Sequence, residues 1–427
     1  MNQDYTKYSI DNYILKIVGV FNYENNFLNK SLKYGYRELV YTADEIKNYK
    51  DFFYPDFRKN FFSNNKERHK ILIKSNFENS LLTIGNAKKQ STISIIESRL
   101  DLMDDGFGLF TIDIKIAKEN IILADFSDAS FFVRNFESEV LGNIHTKWHK
   151  YIENELLLGS KTRGEFINVD DYSGTKYKLY MIIDSPELLT EQQRDHLMID
   201  LATVTQIGAT GSEGPHSLDS DYYNKLLDKN AIIVYGNWKG LALLDTYTVL
   251  GRGILTQPWQ ISTYKNTYFT IYLYCLFVKY SMFKFHYEIA DLDEDRRSTF
   301  QEFMSKYYYN YISYNFLPTE LFTKIKIGLD IENERNLLNQ KIELVGRQIQ
   351  EAQQDRTNKI LGIVTVLSSL SSAQPVYDYL LIGQKYLGLD VALYWTLAIT
   401  LTIIVASSVA FYVFGKNILK WIKKRKK

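Results

Sequence analysis

The hydrophobic period of the chain changes near residue 255. Before it, short apolar runs rich in β-branched residues recur at 13–21 (YILKIVGVF), 71–74, 109–116 (LFTIDIKI), 121–123 and 178–183 (KLYMII). Runs of this length and composition predict strands, and 109–116 alternates as a half-buried strand should. The runs 231–235 (AIIVY) and 241–250 (LALLDTYTVL) are separated by Gly236, Asn237 and Gly240, which predicts a hairpin. Helical patterns at 143–158 and 190–205 intervene, so residues 1–255 read as a mixed α/β domain.

Beyond 255 the pattern is helical. The uncharged aromatic stretch 266–278 (NTYFTIYLYCLFV) is too short to cross a bilayer and reads as a buried helix. A second helix is predicted over 297–311, and Pro318-Thr319-Glu320 is a helix-start signal. After Asp330 the apolar residues Leu338, Ile342, Val345, Ile349 and Ala352 follow in heptad steps. A helix from 331 to 370 would be about 60 Å long, and one apolar stripe on it must be covered by another helix or another subunit.

Two later runs carry no charge. Residues 360–377 (ILGIVTVLSSLSSAQPVY) give 18 such positions and 391–415 (VALYWTLAITLTIIVASSVAFYVFG) give 25. The second has Tyr394 and Trp395 at one end and Phe411, Tyr412 and Phe414 at the other, the places of interfacial aromatics. Both are predicted to be transmembrane helices. The tail 416–427 carries seven positive charges and no negative one, which by the positive-inside rule places it in the cytoplasm. The large N-terminal part would then be cytoplasmic too, and the start MNQDYTKYSI shows no signal-peptide pattern.

The predicted fold class is thus an α/β cytoplasmic domain (1–255, ligand-sensing), a helical cytoplasmic segment (256–330), a long α-helical stalk (331–359) and two transmembrane helices per subunit (360–377 and 391–415). An outer loop (378–390) joins the spans and a basic cytoplasmic tail (416–427) follows them. The expected location is the inner (cytoplasmic) membrane, multi-pass, with both termini cytoplasmic.

Charge sharpens this picture. The net charge is +1, and removing the +7 tail leaves −6 on residues 1–415, so direct nucleic-acid binding is not expected. The single cysteine, Cys275, excludes an intramolecular disulfide and a cysteine-cluster zinc site.

Candidate chemistry is sparse. The loop 206–217 (QIGATGSEGPHS) is Gly-rich but lacks the Gly-Lys-Ser/Thr ending of a P-loop. His145 and His149 lie four apart without the intervening Glu of a metalloprotease helix. Asp291, Asp293, Asp295 and Glu302 match an EF-hand spacing, yet Arg296 stands where that loop needs Gly, and a solvated acidic turn accounts for the same residues. No nucleophile–base pairing or catalytic carboxylate pair is evident, so an enzyme is not expected. Trp238, Arg252 and Trp259 offer aromatic faces and a guanidinium close together in sequence, the groups that receive an adenine and a phosphate; buried structural aromatics are the competing reading.

The order of elements, with the junction Arg356-Thr357-Asn358-Lys359-Ile360-Leu361-Gly362-Ile363-Val364-Thr365-Val366, resembles the CorA family of divalent-cation channels over 303–427. That resemblance implies a homopentameric ion channel in the lipid bilayer with the first span lining the pore. Asn358, Gly362, Thr365, Ser369 and Ser372, in steps of 4, 3, 4 and 3, are then the candidate pore face, although small residues also serve close packing between spans. The family's Gly-Met-Asn filter is missing: no Met follows Met304, and Ile382-Gly383-Gln384 stands in its place, making Gly383 and Gln384 a degenerate filter. In this the chain is similar to CorA-like effectors of type III CRISPR antiviral defense. For those, the resemblance implies a channel opened by a nucleotide second messenger, adenylated S-adenosylmethionine (SAM-AMP), bound to the cytoplasmic domain. The alternative is a Mg²⁺, Co²⁺ or Zn²⁺ transporter with a degenerate filter, for which Mg²⁺ is a possible ligand.

Overall fold

The protein is seen in a computed structural model that describes residues 5–61, 69–75, 77, 81–103, 107–142, 145–162, 176–212, 217–288, 294–387, 395, 398–402 and 405. It divides into two units, Met1–Asn339 and Gln340–Lys427.

The first unit is built on one mixed sheet of 12 strands: β1 (Asn12–Asn22), β2 (Arg37–Glu38), β3 (His69–Ser75), β4 (Leu81–Gly85), β5 (Gln90–Met103), β6 (Phe107–Ile116), β7 (Glu139–Leu141), β8 (Thr146–Lys147), β9 (Lys178–Asp184), β10 (Ala231–Ile232), β11 (Trp238–Ala242) and β12 (Thr246–Gly251). The order is β10-β11-β12-β9-β1-β6-β5-β4-β7-β8, with β3 joined to β5 and β2 to β3. On the edge away from β6, β5 serves two partners: its first part pairs with β4 and its second with β3, the change coming at a register shift between Ile95 and Glu97. Among the described pairings only β9 with β12 is parallel; the others are antiparallel.

The central strands read as unbroken apolar runs because helices cover both sheet faces. On one face lie α1 (Leu123–Arg134) and α2 (Glu191–Thr203). Phe126 of α1 packs edge-on against Tyr13 at 5.4 Å, and Thr246 of β12 donates to the Ala202 carbonyl of α2 at 2.5 Å. Thr190 starts α2 with a reciprocal capping box to Gln193. The other face is covered by α3 (Pro258–Ser262), which continues through a π-helical turn (Thr263–Tyr268) into α4 (Phe269–Glu288). There Tyr180 donates to the Tyr264 carbonyl at 2.6 Å and its ring lies 5.2 Å from Phe269. Each fully buried aliphatic or aromatic side chain of this core contributes roughly 1.5–3 kcal/mol relative to exposure.

The same face holds a buried charge cluster. Lys16 and Asp113, opposite each other on β1 and β6, pair at 2.5 Å, and Lys265 of the π-helical turn reaches the second Asp113 oxygen at 2.9 Å. Burial pushes the Asp113 carboxyl up, but the two lysines outweigh it and hold the group below its ordinary range.

α5 (Phe316–Gly328) packs on β11 through its last residue. A Cβ at Gly328 would lie 2.3 Å from the Ala242 carbonyl oxygen. The chain then enters α6 (Ile331–Leu387), whose first turns are fixed by Glu332. That carboxylate takes Lys326 at 2.5 Å, Tyr308 Oη at 2.5 Å and Arg335 at 2.8 Å.

The structure corrects the membrane reading. Among the described residues no helix is long and apolar enough to cross a membrane. The fold is a large mixed sheet with helices, and among the described residues neither the two transmembrane helices, the multi-pass inner-membrane location nor the channel architecture is supported. The physical reason lies in residues 360–377, where absence of charge is not apolarity. Ser368, Ser369, Ser371, Ser372, Gln374 and Pro375 dilute the run, and the Thr365, Ser368 and Ser371 hydroxyls bond back to carbonyls of their own helix. Residues 378–387, expected as an outer loop, continue α6 instead. Of the second expected span, 391–415, all but 395, 398–402 and 405 lie outside the described residues, as does the whole basic tail.

Smaller corrections concern strands and turns. The run 241–250 is not one strand: 243–245 form a turn, so β10–β11 and β11–β12 make two hairpins. Within the stretch expected as a helix over 143–158, residues 146–147 form β8 and the helix starts at Trp148, and 121–123 lead into α1.

Candidate functional site

The one parallel pair, β9 and β12, ends with Asp184 and Gly251 in register. The carboxyl ends of parallel strands are where open α/β sheets hold ligands. Here the chain leaves β12 through residues 252–257 and enters α3.

Asp184 organises this loop. Its carboxylate, 1% exposed, accepts the Gly253 amide at 2.6 Å on one oxygen and the Leu255 amide at 2.8 Å on the other. Gly253 lies at φ +69°, a conformation that favours glycine. Ile254 and Leu255 insert into the core, while Gln260 caps the turn by accepting the Gln257 amide at 2.9 Å and donating to the Gly253 carbonyl at 3.3 Å. On the other side, Arg252 and Asn237 are clamped together: the Arg252 amide donates to the Asn237 carbonyl at 2.9 Å, and Asn237 Nδ2 donates to the Arg252 carbonyl at 3.1 Å. Gly251 permits this close approach, since a Cβ there would lie 2.5 Å from Trp238 Cβ.

The backbone is therefore fixed, and it presents two side chains outward. Arg252 is exposed, and its guanidinium has no hydrogen-bond or ion-pair partner among the described residues. Trp259, at the first turn of α3, is 68% exposed. Tyr235 is also exposed, its ring 6.1 Å from that of Trp238. Trp238 itself is buried and serves as the packing floor under Gly251.

Comparison with family models, with curated proteins and with solved structures finds no match for this chain.

The remaining sequence candidates are dispersed. Asn358, Gly362 and Thr365 lie on α6 with Asn358 and Thr365 exposed; Ser369, Ser372, Gly383 and Gln384 belong to the same helix, but their side chains are outside the described set. His149 is buried and bonds the Phe136 carbonyl at 2.9 Å, while His145 is exposed, so the two do not form a ligand pair. In the Gly-rich loop, the Gly208 and Thr210 amides point inward to Asp200 at 2.7 and 2.9 Å rather than outward to a phosphate. Asp291 and Asp293 lie outside the described residues, among which no group of three or more His, Cys, Asp and Glu is placed to hold a metal. Asp184 and Tyr235 were not evident from sequence; an acidic residue closing an apolar strand is the only signal Asp184 gave.

Proposed function

We propose that the chain is a ligand-responsive effector whose first unit receives a nucleotide messenger at the carboxyl edge of β9 and β12. The observation that carries this reading is the Arg252 guanidinium, exposed and without a partner among the described residues, on the loop that Asp184 fixes and that leads to the exposed Trp259. A guanidinium pairs with phosphate through parallel N–H donors, and an indole face stacks on a base at roughly 1–3 kcal/mol. The backbone that carries both side chains is held before a ligand arrives, which lowers the ordering cost of binding. The resemblance to CRISPR-associated CorA-like effectors supplies the candidate ligand, SAM-AMP.

The response is assigned to self-association through the second unit. Ile360, Leu361, Ile363, Val364 and Leu367 of α6 are each more than half exposed. Such a surface is normally covered by a partner; Leu338 and Ile342 are covered by their own chain, and the heptad positions beyond them, Val345, Ile349 and Ala352, fit further copies of this helix. A ligand that favours one arrangement of the copies would shift their population.

The edge is tested by the fluorescence of Trp259. Saturable quenching by SAM-AMP in the wild-type chain that is lost in Trp259→Phe supports the reading. Quenching unchanged in Trp259→Phe, or none in the wild type, contradicts it.

A further inference from the structure

At the opposite end of β9, cations outnumber carboxylates among the described residues. Arg134, the last residue of α1, is 6% exposed. Among the described residues its buried Nε has no hydrogen-bond partner, and its one side-chain hydrogen bond runs from Nη1 to the Thr203 carbonyl at 3.5 Å. Lys178, the first residue of β9, is also buried and pairs with Asp245 at 2.5 Å. Burial pushes the Asp245 carboxyl up, yet Lys178, then Arg134 and Lys176, outweigh it and hold the group ionised. The Tyr177 amide donates to the Arg134 carbonyl at 2.7 Å and Asn135 bridges to Lys176, which sets the end of α1 beside Lys176 and Lys178, so three cations face one carboxylate.

The C-termini of α1 and α2 favour a cation in their neighbourhood. They do not supply the guanidinium with acceptors, because one contact of 3.5 Å is at the limit of a hydrogen bond. A buried guanidinium left this way is costly and calls for an anion. Lys176 is half-buried and the Asp245 side chain is 34% exposed, so the cluster is open to solution on one side.

We infer that Arg134, Lys178 and Lys176 form a subsite for a phosphate group. Arg134 would give the bidentate contact, with the lysines as point charges. The seven residues of β9 separate this subsite from the Arg252 loop by roughly 20 Å, so it is a second site and does not rest on the nucleotide reading.

The test is thermal unfolding of the full chain at constant ionic strength, with chloride replaced by inorganic phosphate. The wild-type Tm should rise saturably. Arg134→Met should abolish the rise and leave the Tm in chloride equal or higher, because an apolar chain has replaced an unpaired buried charge. Lys176→Gln, at a half-buried position, is the second arm and should weaken phosphate binding about tenfold. No saturable rise in the wild type, or an undiminished rise in either variant, overturns the inference. AMP, used in the Arg252→Ala background, separates the sources. Binding equal to that of phosphate points to the free anion, and binding at least about tenfold tighter points to a phosphate carried by a nucleotide; both are lost in Arg134→Met if the subsite is right.

Discussion

Lys279 donates from Nζ to the carbonyl of Leu329 at 2.5 Å, one residue before Asp330 turns through φ 56° into α6. Burial, reinforced by the charge of Lys178, lowers the Lys279 pKa from 10.5 to about 8 despite Glu334, Asp330 and Asp245. The unfolded chain therefore binds more protons between these two values, and stability should rise with pH across that window. Urea unfolding of the wild type against Lys279→Met between about pH 8 and pH 9 reads it as a difference, because the buried tyrosines, raised by folding, lower the stability of both proteins as pH rises. The slope of stability against pH should be more positive in the wild type than in Lys279→Met; equal slopes would contradict the assignment.

Asp101 makes the opposite prediction in acid. It accepts from Arg99 Nε at 2.8 Å and Nη2 at 2.7 Å, and lies 3.0 Å from His69 Nε2. Burial raises its pKa, but Arg99 and His69 outweigh this and lower it from 3.8 to about 2. A carboxyl depressed by folding stabilises fully above its unfolded pKa, and that contribution is lost as pH falls from about 3.8 to about 2. Asp101→Asn should flatten this part of the acid-unfolding curve. At pH 7 it should cost on the order of 3 kcal/mol, because it leaves Arg99 buried without its counter-charge.

Asp184→Ala should free the amides of Gly253 and Leu255. The expected loss is about 2–3 kcal/mol in urea unfolding, since two charge-assisted bonds disappear from a buried position. Hydrogen exchange should speed up at both amides. A variant with unchanged exchange at Gly253 would show that the loop is held by something other than Asp184.

How far the sequence was legible depends on which physical signal each element gave. β1, β6 and β9 were readable because burial on both faces leaves continuous apolar runs. β5 was not, because Glu97, Arg99 and Asp101 interrupt it; Arg99 and Asp101 pair within the strand, and Ser75 and His69 of β3 complete the set. The turn at 243–245 carries neither Gly nor Pro, so the run 241–250 looked unbroken. Residues 360–377 were read by their lack of charge, although their hydroxyls make them a poor lipid-facing surface. At the site, Arg252 and Trp259 were legible as chemistry, whereas Trp238 was absorbed by packing. Asp184 acquires its role only through the parallel register that sets it opposite Gly251.

Self-association of the second unit is tested at its seam. Val345 lies in the heptad spacing between Ile342 and Ile349. Val345→Asp would place a charge in the contact between copies, where an unpaired buried carboxylate is strongly unfavourable. Sedimentation velocity should show an oligomer for the wild type and a shift toward monomer for the variant. A monomeric wild type, or an oligomer indifferent to the substitution, would remove the helix from the assembly.

The central claim is that the loop fixed by Asp184 receives a nucleotide through Arg252. Calorimetric titration of the full chain with SAM-AMP, wild type against Arg252→Ala, tests it most directly. The account predicts saturable binding by the wild type and an affinity about tenfold to a hundredfold weaker in the variant, the loss of one charge-assisted phosphate contact. Equal affinity in the two proteins, or no binding by the wild type, would contradict it.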